Sequence, residues 1–272
     1  MKVLISTDIE GVAGVVHHQQ VRAGNPEYER ARVLMTHEAN AAIAGAFDAG
    51  AAEVLVNDSH GDFRNMAAEQ LDPRAQFVLG KPRFLGMMAG VDLGVAAVCM
   101  IGYHSRAQGR GILAHTINSF AFRRVLLNDV ELGEAGLYGA LAGEYGVPVV
   151  MGSGDDMFIE EHRPLFPHAV FVQTKRATGQ TSGVSLSPEQ SRAAIRAGVV
   201  AALQGRGGAK PYVLATPLRA RVQTQSPALA DLFCQWPALR RLAGDEVGFD
   251  APSVEAAVRM INSLSAMSAV LR

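Results

Sequence analysis

The chain has 272 residues, 49% of them hydrophobic and 19% charged, with 25 Lys+Arg against 26 Asp+Glu. That composition excludes a disordered chain, and the balanced charge excludes a global electrostatic pull on nucleic acid. A chain of this length can bury about 70% of its unfolded surface, so its core needs no covalent staples.

Only Val3-Leu4-Ile5 separates Met1-Lys2 from Ser6-Thr7-Asp8. That is too short for the apolar stretch of a signal peptide, and a cytoplasmic protein is expected. Cys99, in an apolar run, and Cys234, beside Gln235-Trp236, suit a reducing compartment and form no zinc-ribbon spacing. Val3-Leu4-Ile5 reads as a buried strand with polar residues at its C-terminal end. A helix follows, with Asn25 as its cap, Pro26 in first position, Met35, Ala39, Ala42, Ile43 and Ala46 as the apolar stripe, and Gly50 as the stop. Val54-Leu55-Val56 is a second strand, ending in Asn57-Asp58-Ser59-His60, and the three elements make the strand-helix-strand unit of a parallel sheet.

Residues 84–101 are the nearest approach to a membrane span, but Gly86, Gly90, Asp92 and Gly94 interrupt them. A span needs about 20 nearly continuous apolar residues, so no membrane partner is expected. Residues 95–101 form instead a third strand, running into Gly102-Tyr103-His104-Ser105. Further strands are predicted over 112–118 and 122–127, a helix over 133–145, and a fourth buried strand over 147–151 that ends in Gly152-Ser153-Gly154-Asp155-Asp156. After a polar stretch, Ser187 caps a helix that runs to about Gln204, and Gly205 to Gly208 is a linker or tight turn. Strands over 212–215 and 220–224 and a closing helix, with Val254, Ala257, Val258, Ile261 and Leu264 on one face, complete the chain. The expected fold is α/β, a mostly parallel central sheet flanked by helices with a smaller C-terminal α+β portion. Residues 1–208 are the expected metal-binding catalytic domain and 209–272 the smaller portion packed on it, as a separate lobe or as part of one continuous domain.

Apolar strands thus deliver acids and histidines repeatedly at their C-terminal tips, where open α/β sheets place ligands. Asp8 and Glu10, two apart in an extended tip, project to one side, and two converging carboxylates are costly unless a cation or proton lies between them. A solvated strand end or a helix cap is the competing explanation. His60 and His104 recur at the next two tips, and two acids with two histidines are donors that suit zinc or a related divalent ion. Glu134 opens the helix that starts at Gly133, where the helix dipole alone favours an anion. His115 is either a hydrogen-bonded core histidine or a catalytic one. Asp155 and Asp156 are helix caps or acceptors for a substrate ammonium. The pairs Lys81 with Arg83 and Arg123 with Arg124 could hold a substrate carboxylate or be solvated surface charge. His17, His18, His37, His162 and His168 receive no role. Neither a Gly-x-Gly-x-x-Gly after the first strand nor a Gly-Lys-Ser/Thr motif occurs, which argues against a nucleotide cofactor.

Seven pieces, in order over about residues 1–190, resemble the D-aminopeptidases of the DppA type, which are dinuclear zinc metallopeptidases. They are Ser6-Thr7-Asp8-Ile9-Glu10-Gly11, Tyr28-Glu29-Arg30-Ala31-Arg32 with Met35-Thr36, Val54-Leu55-Val56-Asn57-Asp58-Ser59-His60, Gly102-Tyr103-His104-Ser105-Arg106-Ala107, Ala114-His115, Gly133-Glu134-Ala135-Gly136 and Gly154-Asp155-Asp156. The resemblance implies two zinc ions per subunit held by Asp8, Glu10, His60, His104 and Glu134, with Asp8 bridging and His115 catalytic beside them. It also implies a ring-like homodecamer. His37 stands where that family usually has an acid, and the C-terminal third matches only loosely.

The activity expected from it is zinc-dependent removal of an N-terminal residue, D-configured and D-Ala-like, from short peptides or amides by a metal-bound hydroxide. His115 would protonate the leaving amine, stabilise the oxyanion or act as nucleophile, and Asp58 or a backbone carbonyl could orient a ligand imidazole. The alternatives are a dinuclear metal amidase acting on a different small amide, and a non-catalytic metal-binding scaffold.

Overall fold

The computed structural model describes residues 1–272 and arranges twelve strands in two sheets. The first contains β1 (Lys2–Thr7), β2 (Glu53–Asp58), β3 (Gln76–Val78) and β4 (Ala97–Ile101). Next in the chain, β5 (Phe122–Leu127) and β6 (Val130–Glu131) form a hairpin of the second sheet. The chain then returns to the first through β7 (Val149–Asp155), β8 (Val170–Gly179) and β9 (Ser182–Ser185), before β10 (Leu218–Thr224), β11 (Arg240–Ala243) and β12 (Glu246–Ala251) complete the second. The helices are α1 (His18–Val21), α2 (Pro26–Asp48), α3 (Glu134–Glu144), α4 (Asp156–His162), α5 (Pro188–Gln204), α6 (Pro227–Phe233) and α7 (Val254–Met267).

The seven-stranded sheet has the order β3-β2-β1-β4-β7-β8-β9 and is parallel except at the β8–β9 hairpin. β1 lies between β2 and β4, so strand order reverses there and the C-terminal tips of these three strands face one crevice. Both faces of the sheet are covered, which is why its strands read as unbroken apolar runs. Val3 and Ile5 pack against Met35, Ile43 and Val199 of α2 and α5. Leu4 faces the other way, toward a core shared by α3, α7 and the second sheet through Leu137, Ile261 and Phe249.

The second sheet has the order β11-β12-β10-β5-β6 and is antiparallel. It therefore draws residues 122–131 from the middle of the chain and is not built from the C-terminal portion alone. The stripe of α7 predicted from sequence is buried at every named position. Val254–Leu271 is by length and composition apolar enough to cross a membrane, but that stripe is packed into the core beneath the second sheet.

Two predicted strands are absent. Residues 112–118 form an irregular loop in which Leu113 and Ile117 adopt left-handed φ values of 56° and 58°, incompatible with a pleated ladder. Residues 212–215 pair with no strand. Asn25 precedes α2, but its side chain donates to the Arg22 carbonyl instead of capping the helix. Ser187 does cap α5, in a reciprocal pair with Gln190.

Candidate metal centre

Beyond Thr7 the chain leaves β1 against the end of β4. Asp8 N–H donates to the Ile101 carbonyl at 2.8 Å and Gly11 N–H to the Gly102 carbonyl at 2.7 Å. The two strand tips cross so closely that a Cβ on Gly11 would lie 2.0 Å from the Tyr103 carbonyl oxygen. A Cβ on Gly102, whose φ is +71°, would lie 2.3 Å from the Asp8 carbonyl oxygen. Glycine at both positions permits the crossing that sets Asp8 beside His104.

Six side chains meet there. His60 Nδ1 lies 3.1 Å from Glu10 Oε2 and 3.2 Å from Asp8 Oδ1. His104 Nε2 lies 3.4 Å from Asp8 Oδ2 and 3.5 Å from Glu134 Oε1, and His115 Nε2 lies 3.4 Å from the same Glu134 oxygen. Asp8 thus sits between two imidazoles, with one carboxylate oxygen toward each. The His104 and His115 rings stack with centroids 4.2 Å apart.

Each histidine has its second ring nitrogen on a backbone carbonyl: His60 Nε2 on Val21 at 2.7 Å, His104 Nδ1 on Ser105 at 2.9 Å and His115 Nδ1 on Leu113 at 2.9 Å. A carbonyl accepts only, so those nitrogens carry the protons. In the neutral rings the nitrogens facing the carboxylates are left with lone pairs. Lone pair against lone pair is repulsive without a cation or an added proton between them, and imidazole with one N–H anchored outward is the usual posture of a metal ligand. Asp8 Oδ2, Glu10 Oε2 and His104 Nε2 are buried with no hydrogen-bond partner. The spacings fit too, because four ligands at about 2.0–2.1 Å around a tetrahedral zinc lie about 3.3 Å from one another.

The electrostatics report the same crowding. Burial alone lowers the pKa of His60, yet Glu10 and then Asp8 hold it well above the usual histidine value. Burial likewise opposes charge on His104, and Glu134 and Asp8 overcome it. In return, Asp8 is lowered against burial by His104 and His60, and Glu134 by His104 and His115.

Sequence reasoning missed the supports. Lys175 is 2% exposed and donates from Nζ to the carbonyls of Glu10 and Val15. Thr174 Oγ1 donates to the Gly11 carbonyl at 2.6 Å, and Glu38 Oε1 accepts from Ala13 N–H at 3.0 Å. These three buried side chains hold the Glu10 loop from behind, and no periodicity or motif marks them. Asp58 orients no imidazole; it accepts from the backbone of Asn65 and Met66, and carbonyls do the orienting. Asp155 caps α4 and accepts from Ile112 N–H at 2.6 Å, while Asp156 accepts from Ala177 N–H, so neither acid enters the cluster. Two cavities of about 850 and 680 Å³ open on the cluster and share His60, His115 and Ile117.

Residues 1–263 match the family described as D-aminopeptidase. This chain belongs to that family. A D-aminopeptidase of Bacillus subtilis (strain 168) is 36% identical over 211 residues, covering 78% of this chain and 77% of that one. The solved structure of a Zn-dependent D-aminopeptidase, DppA from Bacillus subtilis, described as a self-compartmentalizing protease, superposes with a TM-score of 0.96. It shares 30% identity, covering 99% of this chain and 98% of that one. The α/β architecture, with its mostly parallel sheet, is therefore that of the D-aminopeptidases.

Proposed function

We propose that this D-aminopeptidase family member is a zinc-dependent metallopeptidase that removes a D-configured N-terminal residue from short peptides or amides. The observation that carries the reading is the arrangement of three imidazoles, each with one N–H on a carbonyl and the other nitrogen turned into a chain of three buried carboxylates. Glu10, His60 and Asp8 would hold one ion, and Asp8, His104 and Glu134 would hold the second. Zinc held in such a pair of sites supplies Lewis acidity to a carbonyl and lowers the pKa of a water to about 7.

The protein's own groups do the rest. Lys175 and Thr174 hold the Glu10 loop through the Glu10 and Gly11 carbonyls, and Asp8 is fixed by its N–H on the Ile101 carbonyl and by the Ile9 N–H on its Oδ1. His115 is the most exposed of the six side chains, at 21% against 13% for His60, and like His60 it borders both cavities. With Nδ1–H on the Leu113 carbonyl, its Nε2 is the atom that takes up a proton and delivers it to the leaving amine. The cavities leave room for a substrate beside the ligands, which an enclosed structural site would not.

The names of the relatives support zinc and the D preference. The self-compartmentalizing neighbour supports a homo-oligomer, for which we propose the ring-like homodecamer, in the cytoplasm. Elemental analysis of the purified protein, with hydrolysis of D- and L-alanyl p-nitroanilide before and after chelation and zinc return, tests the reading. About two zinc ions per chain, with D hydrolysis that falls and recovers, is the expected result. Zinc without hydrolysis of either isomer would overturn the peptidase assignment, and a preference for the L isomer would overturn the chirality.

A further inference from the structure

Of the two basic pairs considered for a carboxylate, Arg123-Arg124 lies on the second sheet, where Arg124 pairs with Glu131 at 2.7 Å. Lys81 and Arg83 line the larger cavity, together with Asp8, His60 and Glu134. Lys81 is neutralised by Asp62 at 3.1 Å, and Arg259 across the cavity by Glu255 at 3.2 Å. Arg272, also on the wall, is exposed.

Arg83 is different. Its guanidinium lies 3.9 Å over the Phe63 ring, and its two terminal nitrogens donate to the carbonyls of Val78, at 3.2 Å, and Asp58. No carboxylate pairs with it, and its Nε is buried without a partner. Burial pulls its pKa down to about 10, still a cation at neutral pH. Two of the four terminal N–H bonds are occupied by carbonyls, which leaves two free. The guanidinium is thus partly desolvated, fixed in orientation by two carbonyls and a ring, and forms no ion pair, although the Asp58 charge lies near enough to favour its cation.

The Asp58 carbonyl that Arg83 holds precedes His60 by two residues, so the guanidinium is tied to the strand tip that carries a candidate ligand. We propose that Arg83 binds the C-terminal carboxylate of the substrate, so that the site favours short peptides with a free α-carboxylate over C-terminal amides. This inference rests on the aminopeptidase reading above and names the substrate class within it. The same cavity is lined by Asp8 and Glu134, which repel a carboxylate, and the oriented guanidinium of Arg83, which forms no ion pair, is the group lining it that can hold one.

The test uses zinc-loaded protein and a D-Ala-D-Ala analogue with a methylene-amine in place of the scissile amide, prepared as the free acid and as the C-terminal amide. Binding is measured by calorimetry, and turnover of ordinary D-Ala-D-Ala is followed separately. The expected result is that the acid binds about tenfold or more tightly than the amide in the unaltered protein. Arg83→Met, which keeps the apolar stem on Phe63, should bring the two affinities within about twofold of each other, and Arg83→Lys should retain part of the difference. Equal affinities in the unaltered protein would overturn the inference without recourse to any variant. A difference that persists in Arg83→Met would show that Arg83 only supports the Asp58 carbonyl. An intact difference with no turnover would instead overturn the peptidase reading and leave Arg83 as the carboxylate contact.

Discussion

The tips of the parallel sheet and the outer face of the antiparallel sheet use the same residue types in opposite ways. On the second sheet, cations and anions neutralise one another directly: Arg240 with Asp250 at 2.9 Å, Arg241 with Asp231 at 2.6 Å, Arg221 with Asp129 at 3.0 Å. These pairs are largely exposed, and such pairs contribute little to stability. At the tips of β1, β2 and β4, three buried carboxylates face three imidazoles, and the one buried ammonium behind them, Lys175, is turned onto carbonyls instead of onto an acid. The first arrangement is complete in itself. The second is complete only with a cation or an added proton between the acids and the imidazoles, and that difference separates structure from chemistry in this molecule.

The comparison is broken most directly at its centre. Asp8→Asn should lower zinc content to at most about one ion per chain and reduce hydrolysis by more than about a hundredfold. Metal analysis and steady-state kinetics on one preparation would check this, and retention of both ions would show that Asp8 does not bridge. His115→Ala should reduce kcat by about 10²–10⁴-fold while zinc content is unchanged; zinc loss would instead make His115 a ligand, which its 3.4 Å approach to Glu134 allows.

Lys175→Met leaves the Glu10 and Val15 carbonyls unpaired in a buried site. An expected loss of about 1–3 kcal/mol follows in denaturant unfolding, with zinc held about tenfold less tightly in chelator competition. A variant that unfolds normally and binds zinc normally would remove Lys175 from the support of the site.

A smaller effect sharpens the contrast from the side of pH. Burial, only partly offset by the hydrogen bonds from Ser191 and the Ala13 N–H, raises the Glu38 pKa above its ordinary 4.5. Between 4.5 and the raised folded value, the unfolded chain releases this proton while the folded one keeps it, so stability falls as pH rises through that window. Glu38→Gln should flatten that part of the stability profile, measured by denaturant unfolding across pH; a profile as steep as that of the unaltered protein would contradict it. Smallest of all, Asp250→Asn should leave both thermal stability and hydrolysis within experimental error, because its partner Arg240 is solvated.

Much of this was legible before any coordinates. Val3-Leu4-Ile5, Val54-Leu55-Val56 and residues 95–101 announce buried strands because both faces of a parallel sheet are covered. Asp8, Glu10, His60 and His104 announce a site because polar residues after such strands fall at one edge. Glu134 and His115 were not separable from a helix-start acid and a core histidine by spacing, and the family resemblance singled them out. Residues 112–118 read as a strand because their apolar content is right. Left-handed turns at Leu113 and Ile117 leave no local trace when the residues adopting them are not glycine.

The sequence by itself determined most of the element types, the parallel strand-helix-strand unit at the N-terminus and the chemistry of the donors, since these follow from local periodicity and residue type. Only the tertiary structure decided which imidazole nitrogen faces the acids, that carbonyls and not Asp58 fix the tautomers, and that Lys175, Thr174 and Glu38 brace the Glu10 loop. Those contacts join residues far apart in the chain, as Lys175 to Glu10 shows across 165 positions, and a hydrogen bond to a backbone carbonyl places no demand on the identity of the residue that carries it.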